Sequence, residues 1–553
     1  MYIRQISRRR SDGSRVRYLQ LAHKVRDPET GRPKDEVLFH IGREDKIDKA
    51  QIKRLVLSLS RFLGAGERTA IQAHLDGVAS ADVSVEKTLS MGGSYVLDAL
   101  WRRLELDSTL KKLLAERSFE IEIERLLFAL VANRALAPRS KLGMERWVGR
   151  KVHVDGLDGV QSHALYRAMD FLVEHGEELQ KSVFFSVANL LNLEVDLLFF
   201  DTTSSYFEIE DADPEDGLRQ YGHSKDHRRD LPQVVIGLAV TRTGIPVRCW
   251  VWPGNKADAS TVDQVQKDLA GWKLSRVIWV VDRGFAGEKQ RHAFQRGGGH
   301  VIVGEKLRGP EQLNHEALKR PGRFKTVRGN LEVKEVTVGE ASAKRRFVVV
   351  RNPEQAVRDE AVRNRLIARL EESIEHLNRR KRGHTKAVCE LKSHRGFGRY
   401  VRELKNGQLR IDRARVKADA KLDGKYLIST TDPSLSAEDV ALGYKQLLEV
   451  ERAFRTMKNT LELRPLHHRL PERIQAHVLL CWLGLLLVRV AENESGMTWD
   501  CIRDTIEEIS LVKLCGKDGR VELVSELNDE QRKILKRLSV KKPKRVQKLS
   551  QTA

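Results

Sequence analysis

The sequence predicts a mixed α/β protein in which helices precede a central sheet and a β-rich, partly helical insertion interrupts that sheet. Between about 94 and 192, apolar residues recur at the three- and four-residue spacing of amphipathic helices. From about 195, short apolar runs alternate with turn residues, as in a sheet with buried middle strands. From about 310 to 420 the pattern changes again and parts of the segment are basic. These transitions place a mixed core sheet, flanked by helices, between a helical region and an inserted segment.

Six segments follow from these transitions. We expect a small β/α region over 1–90, a helical domain over 91–192, the first part of the core over 193–309, an insertion over 310–422, the second part of the core over 423–529 and a basic tail over 530–553. The first segment alternates apolar and polar residues, which favours strands, and it carries Arg8, Arg9 and Arg10. Residues 51–80 within it have a helical pattern.

The elements of the core and the insertion can be placed individually. Core strands are expected at Val195–Phe200, Val234–Val240, Ile245–Val251, Val277–Val281, Val301–Val303 and Tyr426–Thr430, with a helix over about 258–270. In the insertion, residues 323–351 predict a β-meander. Residues 354–382 predict one long helix, because Leu366, Leu370, Ile374 and Leu377 form a single stripe. The segment 383–422 is basic and irregular, with weak strands.

Composition narrows the class of protein. The 553 residues include 99 Lys and Arg against 77 Asp and Glu, a formal charge of +22, and 41% are hydrophobic. This apolar content excludes a wholly disordered chain. The five cysteines are scattered and odd in number, which argues against a secreted disulfide scaffold and favours a reducing cytoplasm. The apolar run Val478–Val488 is shorter than the roughly 20 residues that cross a bilayer, so we expect a buried helix there and no membrane attachment.

The positive charge indicates a polyanionic partner. Nucleic acid is the leading candidate, with an anionic membrane surface as the alternative. We expect the region 1–90 and the tail to contact DNA, the tail through Lys and Arg side chains that recur after Glu530. A purely solubilising tail is the alternative interpretation.

Two predicted strands are each followed by an aspartate. Asp201 follows Leu197–Phe200, and Asp282 follows Val277–Val281. Strand ends in α/β sheets are where functional groups converge, and paired carboxylates bind hard cations such as Mg²⁺. The alternative is that each aspartate only caps a turn.

A third acid can be sought on the helix after the insertion. Leu447, Glu451 and Lys458 lie 3, 7 and 14 residues after Tyr444, which would place all four on one helical face. A lone Glu on a helix is usually a solvated surface residue. Here an aligned Tyr and Lys could hold a phosphate beside it.

At this point the sequence resembles a known family. The blocks DTTSSYFE, GHSKDHRRDLPQVVIGLAVT, PVRCWVWPGNKAD, VVDRGFAG and VERAFRTMKNTLELRPLHHR follow one another in the order seen in bacterial insertion-sequence DDE transposases. The group it resembles, the insertion-sequence-four-like group, places its third acid in a Tyr-x2-Arg-x3-Glu-x6-Lys signature. The N-terminal blocks MYIRQISRRRSDGSRVRYLQL and VLFHIGRED extend the resemblance over nearly the whole chain.

The resemblance implies a ribonuclease H-like core with Asp201, Asp282 and Glu451 as catalytic, metal-binding acids. Tyr444 and Lys458 match signature positions, whereas the signature Arg falls on Leu447. Leu cannot bind phosphate, so that contact must be absent or supplied by a neighbour such as Arg452 or Arg455. Glu451 lies 169 positions after Asp282, which agrees with an insertion of the kind that is normal in this group.

The expected reaction is cleavage of DNA at the ends of an insertion sequence, followed by strand transfer into target DNA. Two Mg²⁺ ions, for which Mn²⁺ could substitute, would activate the attacking oxygen and neutralise the leaving oxygen. The expected partners are double-stranded DNA, as terminal inverted repeats and target, and a second copy in a homodimer, acting in the bacterial cytoplasm at the nucleoid. A metal-dependent structure-specific nuclease and a non-catalytic DNA-binding protein derived from a transposase are the alternatives.

Four further features invite a role. Trp252 could stack on an unpaired base, although a core Trp beside a turn is the plainer interpretation. Arg283 could contact phosphate or be solvated. Asp258 could orient site groups or cap a helix. His223 and His227 have the spacing of zinc ligands on a helix, but a polar loop is favoured.

Overall fold

The computed structural model describes residues 2–9, 15–26, 33–43, 56–60, 62, 84–115, 122–191, 197–272, 277–296, 298–308, 310–340, 344–379, 384–516 and 519–550. The chain forms two compact units. The terminal unit comprises Met1–Val187, Met457–Leu463 and His468–Ala553, and the sheet unit comprises Ala188–Thr456 and Arg464–His467.

The strands of the described residues are β1 (Tyr2–Arg9), β2 (Arg15–Arg26), β3 (Pro33–Arg43), β4 (Ser84–Ser90), β5 (Leu197–Tyr206), β6 (Gln233–Val240), β7 (Pro246–Pro253), β8 (Ile278–Val281), β9 (His300–Glu305), β10 (Lys325–Arg328), β11 (Leu331–Val338), β12 (Arg345–Arg351), β13 (Val401–Glu403), β14 (Leu409–Ile411), β15 (Lys425–Thr430), β16 (Ser510–Gly516), β17 (Gly519–Val524) and β18 (Val546–Ser550).

The α-helices are α1 (Gly92–Arg103), α2 (Leu106–Leu114), α3 (Ile123–Leu136), α4 (Lys141–Glu145), α5 (Ser162–Glu174), α6 (Gly176–Leu190), α7 (Val262–Ala270), α8 (Glu288–Arg296), α9 (Gln312–Lys319), α10 (Pro353–Asn378), α11 (His384–Ser393), α12 (Arg413–Ala420), α13 (Ala437–Lys445), α14 (Leu448–Arg455), α15 (Pro471–Ser495), α16 (Trp499–Glu507) and α17 (Asp529–Arg537).

The terminal unit is built around two helices that are largely apolar and are buried on nearly every side. All residues of α3 are buried, and α15 packs against α3 and α5. A helix that is hydrophobic all round belongs in a core or a membrane. By length and composition α15 could span a bilayer, but 89% of its apolar window is buried inside the protein, as expected for a core helix. The antiparallel sheet β1-β2-β3 confirms the strands predicted near the N-terminus.

The C-terminal segment 530–553 is folded as far as Ser550, which contradicts the predicted tail. Asn528 caps α17 in a reciprocal capping box with Gln531, and β18 completes a sheet of order β18-β17-β16-β4. The sequence did not predict β18, because only Val546 of this strand is buried and the strand has no apolar periodicity to recognise. The basic side chains of this segment therefore lie on a fixed scaffold.

The sheet unit contains one nine-stranded sheet of order β10-β11-β12-β15-β9-β8-β5-β6-β7. Its centre, β5, β8 and β9, is parallel, and the other pairs are antiparallel. Continuous burial along β6 and β8 explains their unbroken apolar runs, since both faces of a central strand are covered. The core strands and the helix expected from the sequence are confirmed, apart from residues 195–196, which lie outside the described part of the chain.

The segment predicted as an insertion has two parts. The expected β-meander forms as β10, β11 and β12, but β12 pairs with β15, so the meander extends the core sheet. The long helix α10 is also confirmed, and Leu370, Ile374 and Leu377 of its stripe join a separate apolar cluster with α11 and the hairpin β13–β14. Only this second part has a core of its own.

Candidate active site

The two predicted aspartates meet at adjacent positions of the sheet. In the parallel pair β5–β8, Phe200 lies opposite Val281, and Asp201 and Asp282 are the next residue on each strand. Asp201 lies within β5, and Asp282 makes no side-chain hydrogen bond to the turn Arg283–Phe285 that it precedes. Turn capping therefore does not explain either carboxylate, and both remain available for chemistry at one edge of the parallel strands.

The environment of Asp201 disfavours its charge. Burial raises the pKa of Asp201 to about 6, and the negative charges of Asp258 and Asp282 act in the same direction. The Lys225 ammonium and the Thr202 backbone N–H oppose this shift in the Asp201 pKa. A carboxyl whose pKa is raised by neighbouring carboxylates lies in a site that is short of positive charge.

Asp258 and Lys225 complete the cluster around Asp201. The Thr202 hydroxyl donates to Asp258 Oδ1 at 2.6 Å, and Lys225 Nζ lies 3.2 Å from Asp258 Oδ2 and 3.7 Å from Asp201 Oδ1. Of the two roles open to Asp258, its contacts favour orientation of neighbouring site groups. The sequence interpretation missed Lys225. The only feature of the sequence that could have indicated Lys225 is its positive charge in the polar GHSKDH loop that follows Asp201.

Tyr444 reaches the second acid from the other side of the sheet centre. Its hydroxyl donates to Asp282 Oδ1 at 3.2 Å, and burial together with the Asp282 charge raises the pKa of Tyr444 far above its ordinary value. The approach depends on Gly304 of β9, where an added Cβ would lie 2.1 Å from the Tyr444 hydroxyl oxygen. Tyr444 therefore holds the Asp282 carboxylate in the structure, whereas the sequence suggested a phosphate contact.

The predicted single helical face is wrong. The chain leaves α13 after Lys445 and starts α14 at Leu448, with tight backbone bonds around Gln446 and Leu447. Leu447 is buried, so its apolar side chain packs inward at this break. Lys458 follows in a π-helical turn, Thr456–Thr460. Spacing alone could not reveal the break, because a short turn preserves an apparent three- and four-residue pattern.

Glu451 is exposed on α14, which packs against β5 and β6 through its buried face. Within the described residues, Glu451 makes no hydrogen bond or ion pair, and no contact joins it to Asp201 or Asp282. No group of three His, Cys, Asp or Glu side chains in this part of the chain is close enough to hold a metal ion. The structure thus brings two of the three predicted acids together and places the third on a neighbouring helix.

Of the other residues predicted to contact DNA, Arg283 and Arg455 are exposed and Trp252 is buried. Arg283 is exposed beside Asp282, at 3.9 Å from Nε to Oδ1, and Arg455 is exposed at the end of α14. Trp252 is not available to a base, because it is buried, stacks on Trp250 and donates its Nε1–H to Gln264 Oε1 at 2.8 Å. Trp252 is therefore a core residue.

The predicted polar-loop interpretation of His223 and His227 agrees with the structure. Both residues lie in a loop after β5, and His227 has a φ of 61°. They are not on a helix, so the i, i+4 geometry of a helical zinc pair does not arise.

Comparison with known proteins assigns the chain to a family. A family model described as a transposase DDE domain matches residues 198–487, more than half of the chain and the whole of the acid-bearing sheet centre. The chain belongs to the DDE transposases. It is an insertion-sequence DDE transposase, since a model described as the N-terminal domain of IS1634 family transposases matches residues 3–70. No curated protein matches the transposase.

One solved structure shows a distant likeness. The transposase is 9% identical to a chain of the cryo-EM structure of a piggyBac transposase synaptic complex with hairpin DNA, with a TM-score of 0.34. The alignment covers 75% of this transposase and 79% of that chain. This likeness is too weak to inform the fold. The family assignment itself shows a DNA transposase that cleaves DNA and transfers strands in a metal-dependent reaction.

Proposed function

We propose that Asp201, Asp282 and Glu451 are the catalytic acids of this transposase and that its core is ribonuclease H-like. One observation carries the proposal: Asp201 and Asp282 each follow the last registered pair, Phe200 and Val281, of two parallel strands at the centre of a mixed sheet. Glu451 supports it, because it is an acid without a partner in the described chain, on a helix packed against the strand that carries Asp201.

The donor set fits Mg²⁺ as the metal. Carboxylate oxygens are the ligands that Mg²⁺ prefers, and the burial and crowding that raise the pKa of Asp201 are relieved by a bound cation. Asp201 and Asp282 would hold the metal, with Glu451 as a further ligand. When bound, Mg²⁺ supplies an activated oxygen nucleophile and stabilises the leaving oxygen.

Hydrogen bonds from the protein orient the Asp201 and Asp282 carboxylates. The Thr202 backbone N–H donates to Asp201 Oδ1 at 2.7 Å, which leaves Oδ2 of Asp201 without a hydrogen bond in the described structure. The Tyr444 hydroxyl fixes Asp282 in the same way. Asp282 is half exposed, so DNA can approach it from solvent.

Several surfaces suit DNA. Exposed Arg283 and Arg455 lie in the sheet unit close in sequence to the proposed acids, and Lys458 is a proposed phosphate contact from the matched signature, in which Leu447 replaces Arg. A cavity of about 710 Å³ between α7 and α8 adds Lys289 and Arg296. Phosphate contacts of this kind position DNA without reading its sequence.

The proposed substrates are the terminal inverted repeats of an insertion sequence and target DNA. DNA binding by the region 1–90 is part of the proposal, and residues 3–70 of it match the N-terminal domain of IS1634 family transposases. A homodimer is proposed because two ends must be held together for joining. None of the five cysteines forms a disulfide, which suits a reducing bacterial cytoplasm, where the nucleoid is the proposed location.

The acids are tested by Asp201→Asn, Asp282→Asn and Glu451→Gln. Each variant is incubated with Mg²⁺, a labelled element end and a target plasmid, and cleaved and joined products are separated on gels. We expect each change to abolish both products, because metal ligation is lost, while a mobility-shift assay shows unchanged DNA binding. Glu449→Gln is the matched control, since Glu449 lies on the same helix but pairs with Arg452 at 2.8 Å.

The outcomes separate the candidate functions. Normal cleavage by any one of the three variants removes that acid from the site. Cleavage without joining by the unmodified protein would indicate a nuclease, and binding without cleavage would indicate a DNA-binding protein.

A further inference from the structure

The ammonium of Lys225 is held inside the acid cluster. Lys225 Nζ donates to the Thr202 carbonyl at 2.6 Å and to Thr202 Oγ1 at 2.8 Å, and it forms an ion pair with Asp258 Oδ2 at 3.2 Å. Two of the three N–H donors of the ammonium are therefore used by Thr202, and its charge faces the Asp258 carboxylate.

Thr202 links the two carboxylates that surround this lysine. Its backbone N–H donates to Asp201 Oδ1 at 2.7 Å, and its hydroxyl donates to Asp258 Oδ1 at 2.6 Å. Because Lys225 contacts the other oxygen of Asp258, both oxygens of that carboxylate are held. The network runs from Lys225 through Asp258 and Thr202 to Asp201.

The loop that carries Lys225 is itself anchored. The Lys225 backbone N–H donates to Ser204 Oγ of β5 at 2.8 Å, and neighbouring Asp226 pairs with Arg464 at 2.6 Å. The Ser224 side chain is buried and accepts from the Arg228 backbone N–H at 3.1 Å. The Lys225 backbone is therefore bound to Ser204, and its side chain is bound to Thr202, two residues earlier on β5.

We propose that Lys225 is a positioning residue of the transposition reaction. It acts through Asp258 and Thr202 to hold the Asp201 carboxylate in one orientation, with Oδ1 bound to the Thr202 backbone N–H. It also balances one negative charge among three neighbouring acids. The inference rests on the proposed role of Asp201, and it adds Lys225, Thr202 and Asp258 as the supporting residues of that acid. Loss of such a supporting partner typically costs about 10- to 100-fold in activity or metal affinity.

A double-mutant cycle tests the proposal. Lys225→Met, Asp258→Asn and the double variant are compared with the full-length protein in single-turnover cleavage of a labelled element end over a range of Mg²⁺ concentrations. We expect Lys225→Met to lower the rate at saturating Mg²⁺ by about 10- to 100-fold. The double variant should be no slower than Asp258→Asn alone, because both changes disrupt the same contacts from Lys225 through Asp258 to Thr202.

Two further readouts separate positioning from other roles. DNA affinity and its salt dependence should be unchanged in Lys225→Met, since the ammonium is held by Thr202 and Asp258. Weaker binding with a log–log salt slope reduced by about 1 would reveal a phosphate contact and overturn the proposal. The thermal midpoint without DNA reports folding, and a rate loss that only follows the loss of folded protein would also overturn it.

The matched control is Lys256→Met. Lys256 is exposed two residues before Asp258, so this change removes the same charge near the same acid without touching the network. It should cleave at the unmodified rate. If Asp201→Asn still cleaves, the proposed function fails. If Asp201→Asn is inactive while Lys225→Met cleaves normally, only the inference about Lys225 fails.

Discussion

At the scale of single residues, Asp201 shows how a site can hold unfavourable charge. Burial and the charges of Asp258 and Asp282 raise its pKa to about 6, against an ordinary value of 3.8. The folded protein therefore binds the Asp201 proton more tightly than the unfolded chain does. Stability must then fall as the pH rises from about 4 to 6, and the penalty is fully present above pH 6.

The first prediction follows from this penalty. Without divalent metal at pH 7.5, Asp201→Asn should raise the free energy of unfolding by up to about 3 kcal/mol, because two units of pKa are worth that much. Urea unfolding at pH 7.5 and at pH 4.5 measures it. The gain should shrink at the lower pH, where Asp201 is largely protonated. A gain that is equal at both pH values, or absent at pH 7.5, would contradict the assigned environment of Asp201.

At the scale of elements, the approach of α13 to the sheet depends on one glycine. Gly304 of β9 leaves room for the Tyr444 side chain, whose hydroxyl crosses to Asp282. An alanine there would place its Cβ 2.1 Å from the Tyr444 hydroxyl oxygen and 2.7 Å from the ring carbon that bears it. Such contacts are far inside van der Waals distance, so either the tyrosine or the strand must move.

Gly304→Ala should therefore destabilise the protein by about 1–3 kcal/mol, the usual cost of overpacking. The same change in a Tyr444→Phe background should cost less, because the closest clashing atom is gone. Urea unfolding of the four proteins gives both costs. An equal cost in the two backgrounds would show that Gly304 acts through another neighbour. Cleavage should fall in Gly304→Ala, since Asp282 loses its fixed partner.

Elements also show what the sequence can and cannot predict. Asp201 and Asp282 were predictable because each follows a recognisable apolar strand, and parallel neighbours end at one edge. Lys225 was not, because its loop has no periodicity and its partners lie 23 and 33 residues away. The break before α14 was not predicted, because the short turn there keeps the three- and four-residue spacing of a continuous helix. The place of β10–β12 at the edge of the core sheet depends on the pairing of β12 with β15. The sequence of a single strand does not show which strand it pairs with.

At the scale of the whole molecule, the charge of +22 is partly concentrated at the folded C-terminal segment. Arg532, Lys533, Lys536 and Lys542 line a cavity of about 480 Å³ beside α17. The segment that follows α17 is fixed in the terminal unit, because the Tyr95 hydroxyl donates to the Lys541 carbonyl at 2.9 Å. A fixed basic surface can contact several phosphates at once, which gives a salt-sensitive affinity.

The last prediction concerns this surface. Replacing Lys533, Lys536 and Lys542 together by Gln should weaken duplex DNA binding at low salt. It should also reduce the slope of log affinity against log salt by about 1–3, since each lost phosphate contact contributes about 0.9. Fluorescence anisotropy between about 50 and 200 mM salt, where the Debye length is about 10 Å, measures both the affinity and the slope. The cleavage rate at saturating DNA should be unchanged, because these lysines bind DNA without touching the acids.

A control with equal charge decides whether the effect is local. Lys319, Lys325 and Lys421 are exposed in the sheet unit, and their joint replacement by Gln removes the same three charges. If total charge governed binding, both triple variants would lose affinity and slope equally. If α17 and the chain after it form a DNA-contacting surface, only the first variant changes the slope. Equal losses would therefore leave the long-range field of the protein, rather than the folded C-terminal surface, as the source of its affinity for DNA.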